Sequence, residues 1–94
     1  MLIIAGKLHL PRHERDRWVA AHDEITRTTR SQPGCLDPCL PAGPLEEGRI
    51  NLFEQWGSEA APQAWRAAAN PPPKPQILGA SIYKHHVSSS GPPF

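Results

Sequence analysis

The chain has 94 residues, with ten Lys or Arg, nine Asp or Glu and five His, so its formal net charge is only +1. A balance this even gives no reason to expect nucleic acid or an anionic membrane as a partner. The length suits one small domain whose core leaves much of the surface in water, so pairing with a second copy would help it. Residues 1–6 lack the basic and apolar segments of a signal peptide or a membrane span, and we expect a cytoplasmic protein.

The first predicted elements are a strand and a long helix. Residues 2–10 alternate between two faces, which predicts a strand that Pro11 ends. From Pro11 to about Arg30 the spacing becomes helical, with a largely uncharged stripe at steps of four, three and four residues. The members of this stripe are Trp18, His22, Ile25 and Thr29. We expect one helix that presents the stripe to a sheet.

The second predicted strand contains prolines. It runs from Cys35 to Leu40 with Pro38 inside it, and Pro41 follows directly. A proline cannot donate to a central sheet ladder, so this strand is expected at an edge of the sheet. A bulge or an early strand end is expected between the two prolines.

The third strand is predicted from Arg49 to Trp56, where β-branched and aromatic residues alternate with polar ones. One of its faces carries Glu54, a carboxylate that needs a partner or water among apolar neighbours. Ser58 is the expected N-cap of a second helix. Pro62 would then remove the first regular hydrogen bond of that helix, which is expected to start late.

The proline run at residues 70–75 cannot continue a helix and is expected to be extended, and residues 77–87 alternate as a last strand. The order β-α-β-β-α-β predicts an α+β, ferredoxin-like domain over residues 1–87 with a four-stranded antiparallel sheet. Residues 88–94 form a polar C-terminal tail. One face of such a sheet has no helices, so we expect a homodimer that covers it.

Four segments together resemble the antibiotic biosynthesis monooxygenase (ABM) family. They are AGKLHL at residues 5–10, QPGCLD at 32–37, GRINLFEQW at 48–56 and QAW at 63–65. The resemblance covers residues 1–87 and implies protomers whose sheets pair into a dimeric α+β barrel, with a pocket between helices and sheet in each protomer. Relatives include cofactor-independent oxygenases of anthrones and quinols, haem-degrading enzymes and an isomerase of a small phosphorylated sugar-like signal. Members of the family thus share one fold but catalyse different reactions, so the resemblance implies the fold and does not specify the reaction.

The chain departs from the family pattern at several positions. Three prolines stand where aromatic residues or strand and helix formers are typical: Pro38, Pro41 and Pro62. Trp65 resembles the haem-degrading branch, but the asparagine on the first strand of that branch has no counterpart near Gly6 and Lys7. Its histidine after the second helix is replaced by residues 70–75. We therefore expect no cofactor, and haem in particular is not expected.

His22 is the sharpest catalytic candidate, because it lies on the sheet-facing stripe and exchanges protons near neutral pH. As a general base it could remove a phenolic or enolic proton, and the electron-rich carbanion could then reduce dioxygen. Its alternative is a core histidine with satisfied hydrogen bonds. Asn51 is the second catalytic candidate, as a donor to a developing oxyanion, and its alternative is a polar residue on a dimer-facing strand.

Five further side chains are candidates for substrate binding: Trp18, Glu54, Trp56, Trp65 and Tyr83. An aromatic substrate would stack on Trp56 or Trp65, although packing is the alternative for both. Glu54 could orient a histidine or bind a substrate hydroxyl. Its alternative is an ion pair with an arginine, namely Arg27, Arg49 or Arg66. The Tyr83 hydroxyl could reach the pocket or lie in an interface.

No metal site is expected from the five histidines. Pro11 breaks any helical face shared by His9 and His13, and the adjacent His85 and His86 point to opposite faces of a strand. The sequence also contains no glycine-rich phosphate loop and no serine nucleophile elbow.

The leading hypothesis is a cofactor-independent monooxygenase that oxidises a phenolic, quinol or anthrone-like substrate with dioxygen. The first alternative is an isomerase that uses the same pocket for proton transfer. The second is a non-catalytic dimeric module that binds a small aromatic molecule. Filling of the space between helices and sheet by Trp18, Ile25 and Trp65 would favour the module, whereas an open pocket lined by His22 would count against it.

Overall fold

The structure, a computed structural model, describes residues 1–71 and 76–94. Its elements are β1 (Leu2–His9), α1 (Arg12–Ala21), α2 (Asp23–Arg30), β2 (Cys35–Cys39), β3 (Arg49–Trp56), α3 (Ala60–Ala68) and β4 (Gly79–His86). The extended conformation predicted for residues 70–75 falls mostly outside the described residues. None of the described helices is long and apolar enough to cross a membrane.

The strands form one antiparallel sheet in the order β2-β3-β1-β4. The predicted α+β, ferredoxin-like class and four-stranded sheet are confirmed. β3 has the predicted bounds, because its alternation is uninterrupted and Gly48 and Gly57 flank it. β2 lies at an edge of the sheet, as its prolines required.

β2 ends between the two prolines, as expected, and it also has an irregularity that was not expected. The register shifts between Cys35 and Asp37, before the first proline rather than between the two. The strand does end early, at Cys39. Pro41 stays beside β3 because its carbonyl accepts a hydrogen bond from the Asn51 N–H at 2.9 Å. This bond needs only an acceptor from Pro41, so the absence of an N–H in proline does not prevent it.

The expectation of one long first helix is wrong, because the helix breaks at His22 into α1 and α2. The His22 backbone N–H donates to the Val19 carbonyl at 3.1 Å instead of to the carbonyl of Trp18. The His22 ring instead forms a hydrogen bond with the Trp18 carbonyl, and Nδ1 lies 2.8 Å from that oxygen. A side chain that enters the i→i−4 ladder is a known cause of helix kinks.

α3 begins at Ala60, two residues after Ser58. The Ser58 hydroxyl accepts a hydrogen bond from the Ala61 N–H at 3.3 Å, which satisfies one of the free donors of the first turn. Pro62 is the third residue of the helix, where a missing N–H leaves no hydrogen bond unmade. The late start therefore accommodates the proline.

The two faces of the sheet differ in what covers them. The described helices pack on one face, whose buried residues are Leu2, Ile4, Leu8, Ile50 and Trp56. We call the other face the open face. By the strand register it carries Ile3, Ala5, Lys7 and His9 of β1, Arg49, Asn51, Phe53 and Gln55 of β3, and Gly79, Ser81, Tyr83 and His85 of β4. These residues are half-buried or exposed, and three of them are large and apolar or aromatic.

Candidate active site

A cavity of about 380 Å³ lies between the helix-covered face of the sheet and the helices. Its floor is formed by side chains from three strands: Leu8, Leu52 and Ile82. Trp18, Ile25 and Trp65 line it without filling it. Its polar side chains are those of His22, Thr26, Thr29, Cys39, Glu54 and Arg66. The open cavity lined by His22 counts against a purely packed, non-catalytic module.

Gly6 lies between two of the residues that form the floor of the cavity. It pairs with Leu52 on one side and Ile82 on the other, both of which line the cavity. A Cβ atom at Gly6 would collide with the carbonyl oxygen of Ser81. A larger residue at this position would force β4 to move, so the first strand presents no polar side chain to the cavity here.

His22 has one nitrogen committed to the fold and one that is not. The side chain is 8% exposed and lines the cavity. Its Nδ1 lies 2.8 Å from the Trp18 carbonyl, which can only accept, so Nδ1 carries the hydrogen. In the neutral ring Nε2 then holds the lone pair, and it makes no hydrogen bond with the described residues. This arrangement suits a base or a nitrogen ligand.

Trp18 packs directly on that histidine. The centroids of the indole and the imidazole are 3.7 Å apart, with 36° between the ring planes. Trp18 also belongs to a buried cluster with Leu8, Leu10 and Ile50. Its Nε1 is buried and has no hydrogen-bond partner among the described residues. The indole therefore fixes one wall of the cavity and leaves a donor unsatisfied.

Trp65 forms another part of the wall and is held by a hydrogen-bond chain. Its Nε1 donates to the Thr29 hydroxyl at 3.0 Å, and that hydroxyl donates to the Ile25 carbonyl at 2.6 Å. Because α2 and α3 are joined through this chain, the indole plane has a defined orientation against the cavity. The sequence placed Thr29 on the helical stripe, seven residues after His22, but gave no sign that its hydroxyl would hold Trp65.

Glu54 has the partners that a carboxylate in this environment requires. Its Oε2 accepts from Trp56 Nε1 at 3.3 Å and from Arg66 Nη2 at 3.3 Å, and its side chain is 19% exposed. Of the three arginines that the sequence offered as partners for Glu54, namely Arg27, Arg49 and Arg66, the structure pairs it with Arg66. Both members of the pair line the cavity.

Trp56 is placed differently from the expectation of a substrate-binding wall. It is fully buried in a cluster with Leu2 and Ile4, and its N–H is used by Glu54. The structure therefore does not bring Trp56 to the cavity. Alternation along β3 points the Trp56 indole to the helix-covered face, and the register places it opposite Leu2. It therefore packs in the core at the opposite end of β1 from Leu8, which lines the cavity.

Asn51 and Tyr83 lie on the open face, away from the cavity. Asn51 pairs with Lys7, and its Oδ1 accepts from Arg49 Nε at 2.8 Å. Tyr83 pairs with Ala5 and is 64% exposed. Because successive strand residues point to opposite faces, neither side chain can reach the cavity of its own protomer. The structure does not bring Asn51 together with His22.

The cysteines and histidines do not assemble into another reactive centre in the part of the chain that is described. Cys35 and Cys39 are both free. Burial, with the nearby Glu54 and Asp37 carboxylates, raises the pKa of the Cys35 thiol, which disfavours the thiolate. Within residues 1–71 and 76–94 no group of three or more His, Cys, Asp and Glu side chains could hold a metal ion.

Solved structures share this fold at low sequence identity. A proposed antibiotic biosynthesis monooxygenase from Deinococcus radiodurans has a TM-score of 0.76 and 15% identity, covering 100% of this chain and 99% of its own. The haem degrader MhuD from Mycobacterium tuberculosis, with two haems in its active site, has a TM-score of 0.70 and 20% identity, covering 98% of this chain and 100% of its own. No curated protein gives a significant match.

The expectation that no cofactor is used is wrong, because proteins of this fold bind haem or another metalloporphyrin. A variant of MhuD holds two manganese protoporphyrins per active site, with a TM-score of 0.72, 20% identity and coverage of 98% of this chain and 99% of its own. Porphyrins are therefore bound in this fold. The missing asparagine and histidine concern two individual side chains, whereas porphyrin binding also depends on an apolar cavity, which this chain has.

The sequence also matches the family as a whole. The family model described as antibiotic biosynthesis monooxygenase matches residues 1–70 of the 94. The match includes β1, both parts of the broken helix, β2, β3 and α3, which together contribute most of the cavity wall. This chain belongs to the antibiotic biosynthesis monooxygenase family.

Proposed function

We propose that this protein is a monooxygenase that oxidises a phenolic, quinol or anthrone-like substrate with dioxygen in the cavity beneath its broken helix. The observation that carries the proposal is His22, whose Nδ1 is tied to the Trp18 carbonyl while Nε2 is left for a ligand. Membership of the monooxygenase family supports the reaction class. The apolar walls support a planar aromatic substrate.

His22 would act as the general base. Its Nε2 accepts the proton of a phenolic or enolic hydroxyl, which leaves an electron-rich anion in the cavity. Apolar walls keep water away from this anion and so favour its reaction with dioxygen over reprotonation. For an anthrone, one oxygen atom becomes the new carbonyl oxygen of the quinone, and the other leaves as water with the two hydrogens removed from the substrate.

Trp65 and Arg66 would position the substrate. The Trp65 indole is oriented by the Thr29 hydroxyl, which suits stacking against an aromatic ring. Arg66 lies beside it, half-exposed and paired with Glu54. This pair supplies one cation and one anion at the edge of the cavity, where polar substituents of the substrate would lie.

Oxygen uptake tests this proposal. The purified protein is given 9-anthrone or 1,4-dihydroxynaphthalene, and oxygen consumption is compared with the rate without protein. Label from ¹⁸O₂ in the anthraquinone formed from 9-anthrone identifies a monooxygenation, whereas 1,4-dihydroxynaphthalene can form its quinone by losing two hydrogens to dioxygen and reports only oxygen consumption. If neither substrate is consumed faster with protein than without, or if His22→Ala leaves an observed rate unchanged, the assignment fails. Turnover without oxygen consumption would instead favour the isomerase.

Haem is a second candidate ligand of the same cavity, and the donor set favours it. Neutral imidazole is a haem-iron ligand, and Nε2 of His22 would be the available nitrogen. Arg66 could pair with a propionate, and Trp18 and Trp65 could flank the macrocycle. When bound, the iron would supply dioxygen binding and redox chemistry. Titration with haemin, followed by the Soret band in the native protein and in His22→Ala, tests this candidate.

The open face supports a homodimer. It carries the apolar or aromatic side chains Ile3, Ala5, Phe53 and Tyr83 on three adjacent strands. Tyr83 is 64% exposed and lies across Ala5 from Phe53, so this row of the sheet presents aromatic surface to water. We propose that two copies pack these faces together, so that each sheet is covered on both sides. Sedimentation at micromolar concentration tests the assembly.

A further inference from the structure

Glu54 has one carboxylate oxygen that the fold does not use. Its Oε2 accepts from both Trp56 Nε1 and Arg66 Nη2, each at 3.3 Å, whereas Oε1 makes no hydrogen bond with the described residues. Among the described residues that are not exposed, only Trp18 has a side-chain nitrogen or oxygen that is both inaccessible and unpaired, so Oε1 of Glu54 keeps accessible surface. Because Glu54 lines the cavity from the helix-covered face of the sheet, a ligand in the cavity can reach this oxygen.

His22 and Glu54 lie toward opposite ends of the cavity. His22 stacks on Trp18, which packs in one cluster with Leu8 and Ile50. Glu54 follows Ile50 by four residues on β3, a separation of about 13 Å along the strand. Each end offers an acceptor, the Nε2 lone pair of the neutral imidazole and the free carboxylate oxygen. The cavity therefore matches a ligand with a hydrogen-bond donor at each end of an apolar body.

The charges at the Glu54 end favour a neutral donor over an acidic group. The Glu54 side chain is 19% exposed and that of Arg66 is 56% exposed, so the carboxylate lies deeper than the guanidinium. A ligand inside the cavity thus meets the negative member of the pair. A carboxylate on the ligand would face this charge, whereas a hydroxyl would donate to it. A hydrogen bond to a charged acceptor is stronger than one to a neutral acceptor.

We propose that Glu54 is a specificity-determining residue whose Oε1 accepts a hydrogen bond from a second hydroxyl of the substrate, remote from the hydroxyl that His22 deprotonates. The ligand class is a planar aromatic molecule with hydroxyls on two opposite edges and no acidic group at the Glu54 end. The inference rests on the proposed function for the role of His22 and adds the substituent that the far end of the cavity selects. It concerns recognition rather than oxidation.

Three naphthalene probes test this recognition by anaerobic titration calorimetry. The first, 2-naphthol, has one hydroxyl. The second, 2,6-dihydroxynaphthalene, adds a hydroxyl on the opposite edge of the ring system, and 6-hydroxy-2-naphthoic acid carries a carboxylate there instead. All three share the same planar body, so their relative affinities report the group at the far end.

Glu54→Gln removes the acceptor with little change of shape. Trp56 and Arg66 both donate to this side chain, so they hold the amide oxygen, and the amide NH₂ takes the place of Oε1. A donor then stands where the acceptor was. Glu47→Gln is the matched control, because Glu47 is also paired with an arginine, Arg12, but does not line the cavity.

The native protein is expected to bind the diol roughly tenfold more tightly than 2-naphthol, and also more tightly than the naphthoate. Glu54→Gln should bring the ratio of diol to naphthol affinity close to one, and Glu47→Gln should leave it unchanged. A thermal melt verifies that each variant is folded. The two comparisons in the native protein do not depend on any variant.

Four outcomes would overturn the inference. They are a native ratio near one, a ratio that survives Glu54→Gln, no binding of the diol at millimolar concentration, and tighter binding of the naphthoate than of the diol. The last would assign this end of the cavity to Arg66 and an anionic group. Failure of the proposed oxidation is recognised separately, because binding is measured without oxygen. A ratio that depends on Glu54, together with no oxygen uptake, would leave the recognition intact and remove the monooxygenase activity.

Discussion

Thr29→Val should loosen the joint between α2 and α3 while leaving the shape of the site nearly intact. Thr29 is 7% exposed, and its hydroxyl accepts from Trp65 Nε1 at 3.0 Å and donates to the Ile25 carbonyl at 2.6 Å. Valine keeps the β-branched shape and removes both hydrogen bonds. The bond to Ile25 is an i−4 back-bond, which contributes little or slightly destabilises a helix. The cost therefore lies mainly in the unpaired Trp65 N–H.

The magnitude follows from the burial of that donor. An unsatisfied buried N–H costs about 1–3 kcal/mol, and Trp65 is only half-buried, which favours the lower half of this range. We expect a loss of about 1–2 kcal/mol in the free energy of unfolding. For a domain of this size each kcal/mol lowers Tm by roughly 4–8 °C. Thr29→Ser keeps the hydroxyl and should lose less than Thr29→Val.

A double-mutant cycle with Trp65→Phe isolates the hydrogen bond. Urea denaturation followed by circular dichroism gives the free energies of the native protein, Thr29→Val, Trp65→Phe and the double variant at one fixed protein concentration. The coupling between the two positions should be about 1 kcal/mol. If Thr29→Val costs the same with phenylalanine at position 65 as with tryptophan, the two side chains are not coupled and the hydrogen-bond chain does not hold the indole.

Three further predictions concern the base, the open face and an exposed ion pair. His22→Asn retains a short amide donor for the Trp18 carbonyl but has no base, so oxygen uptake should fall at least about 100-fold while the exposed control His13→Ala stays at the native rate. Phe53→Lys places a charge in the open face and should convert a sedimenting dimer to a monomer; a native protein that is already monomeric would refute the assembly. The Lys84 ammonium holds the pKa of Glu59 below its usual value, so this pair stabilises the fold above the unfolded pKa and the effect is lost as pH falls through the folded pKa. Glu59→Gln should therefore lower Tm at neutral pH, and the difference from the native protein should vanish in acid.

The sheet could be predicted from the sequence because its signals are local. Alternation over residues 49–56 gave the bounds of β3, and the missing donors of Pro38 and Pro41 predicted that β2 lies at an edge. The early strand end expected between the two prolines is found at Cys39, whereas the additional register shift between Cys35 and Asp37 has no signal in the prolines.

The site was less predictable because its determinants are not local. The helix break at His22 has neither proline nor glycine to announce it, and it arises from a side chain that replaces a backbone donor. The hydrogen bond from Trp65 to Thr29 joins residues 36 apart in the chain. Both faces of β3 carry polar residues, so alternation alone did not decide which of Asn51 and Glu54 would face the cavity.

The hydrogen bond between the His22 ring and the Trp18 carbonyl has a consequence for the proposed role of His22 as a base. Nδ1 carries its hydrogen in the neutral ring and also in the imidazolium, so the bond that replaces a backbone hydrogen bond at the junction of α1 and α2 persists in both protonation states. Each arrival and departure of a proton takes place at Nε2. The junction of α1 and α2 therefore keeps this hydrogen bond whether Nε2 is protonated or not. A base with this arrangement would gain and lose a proton without a change in the helix geometry around it.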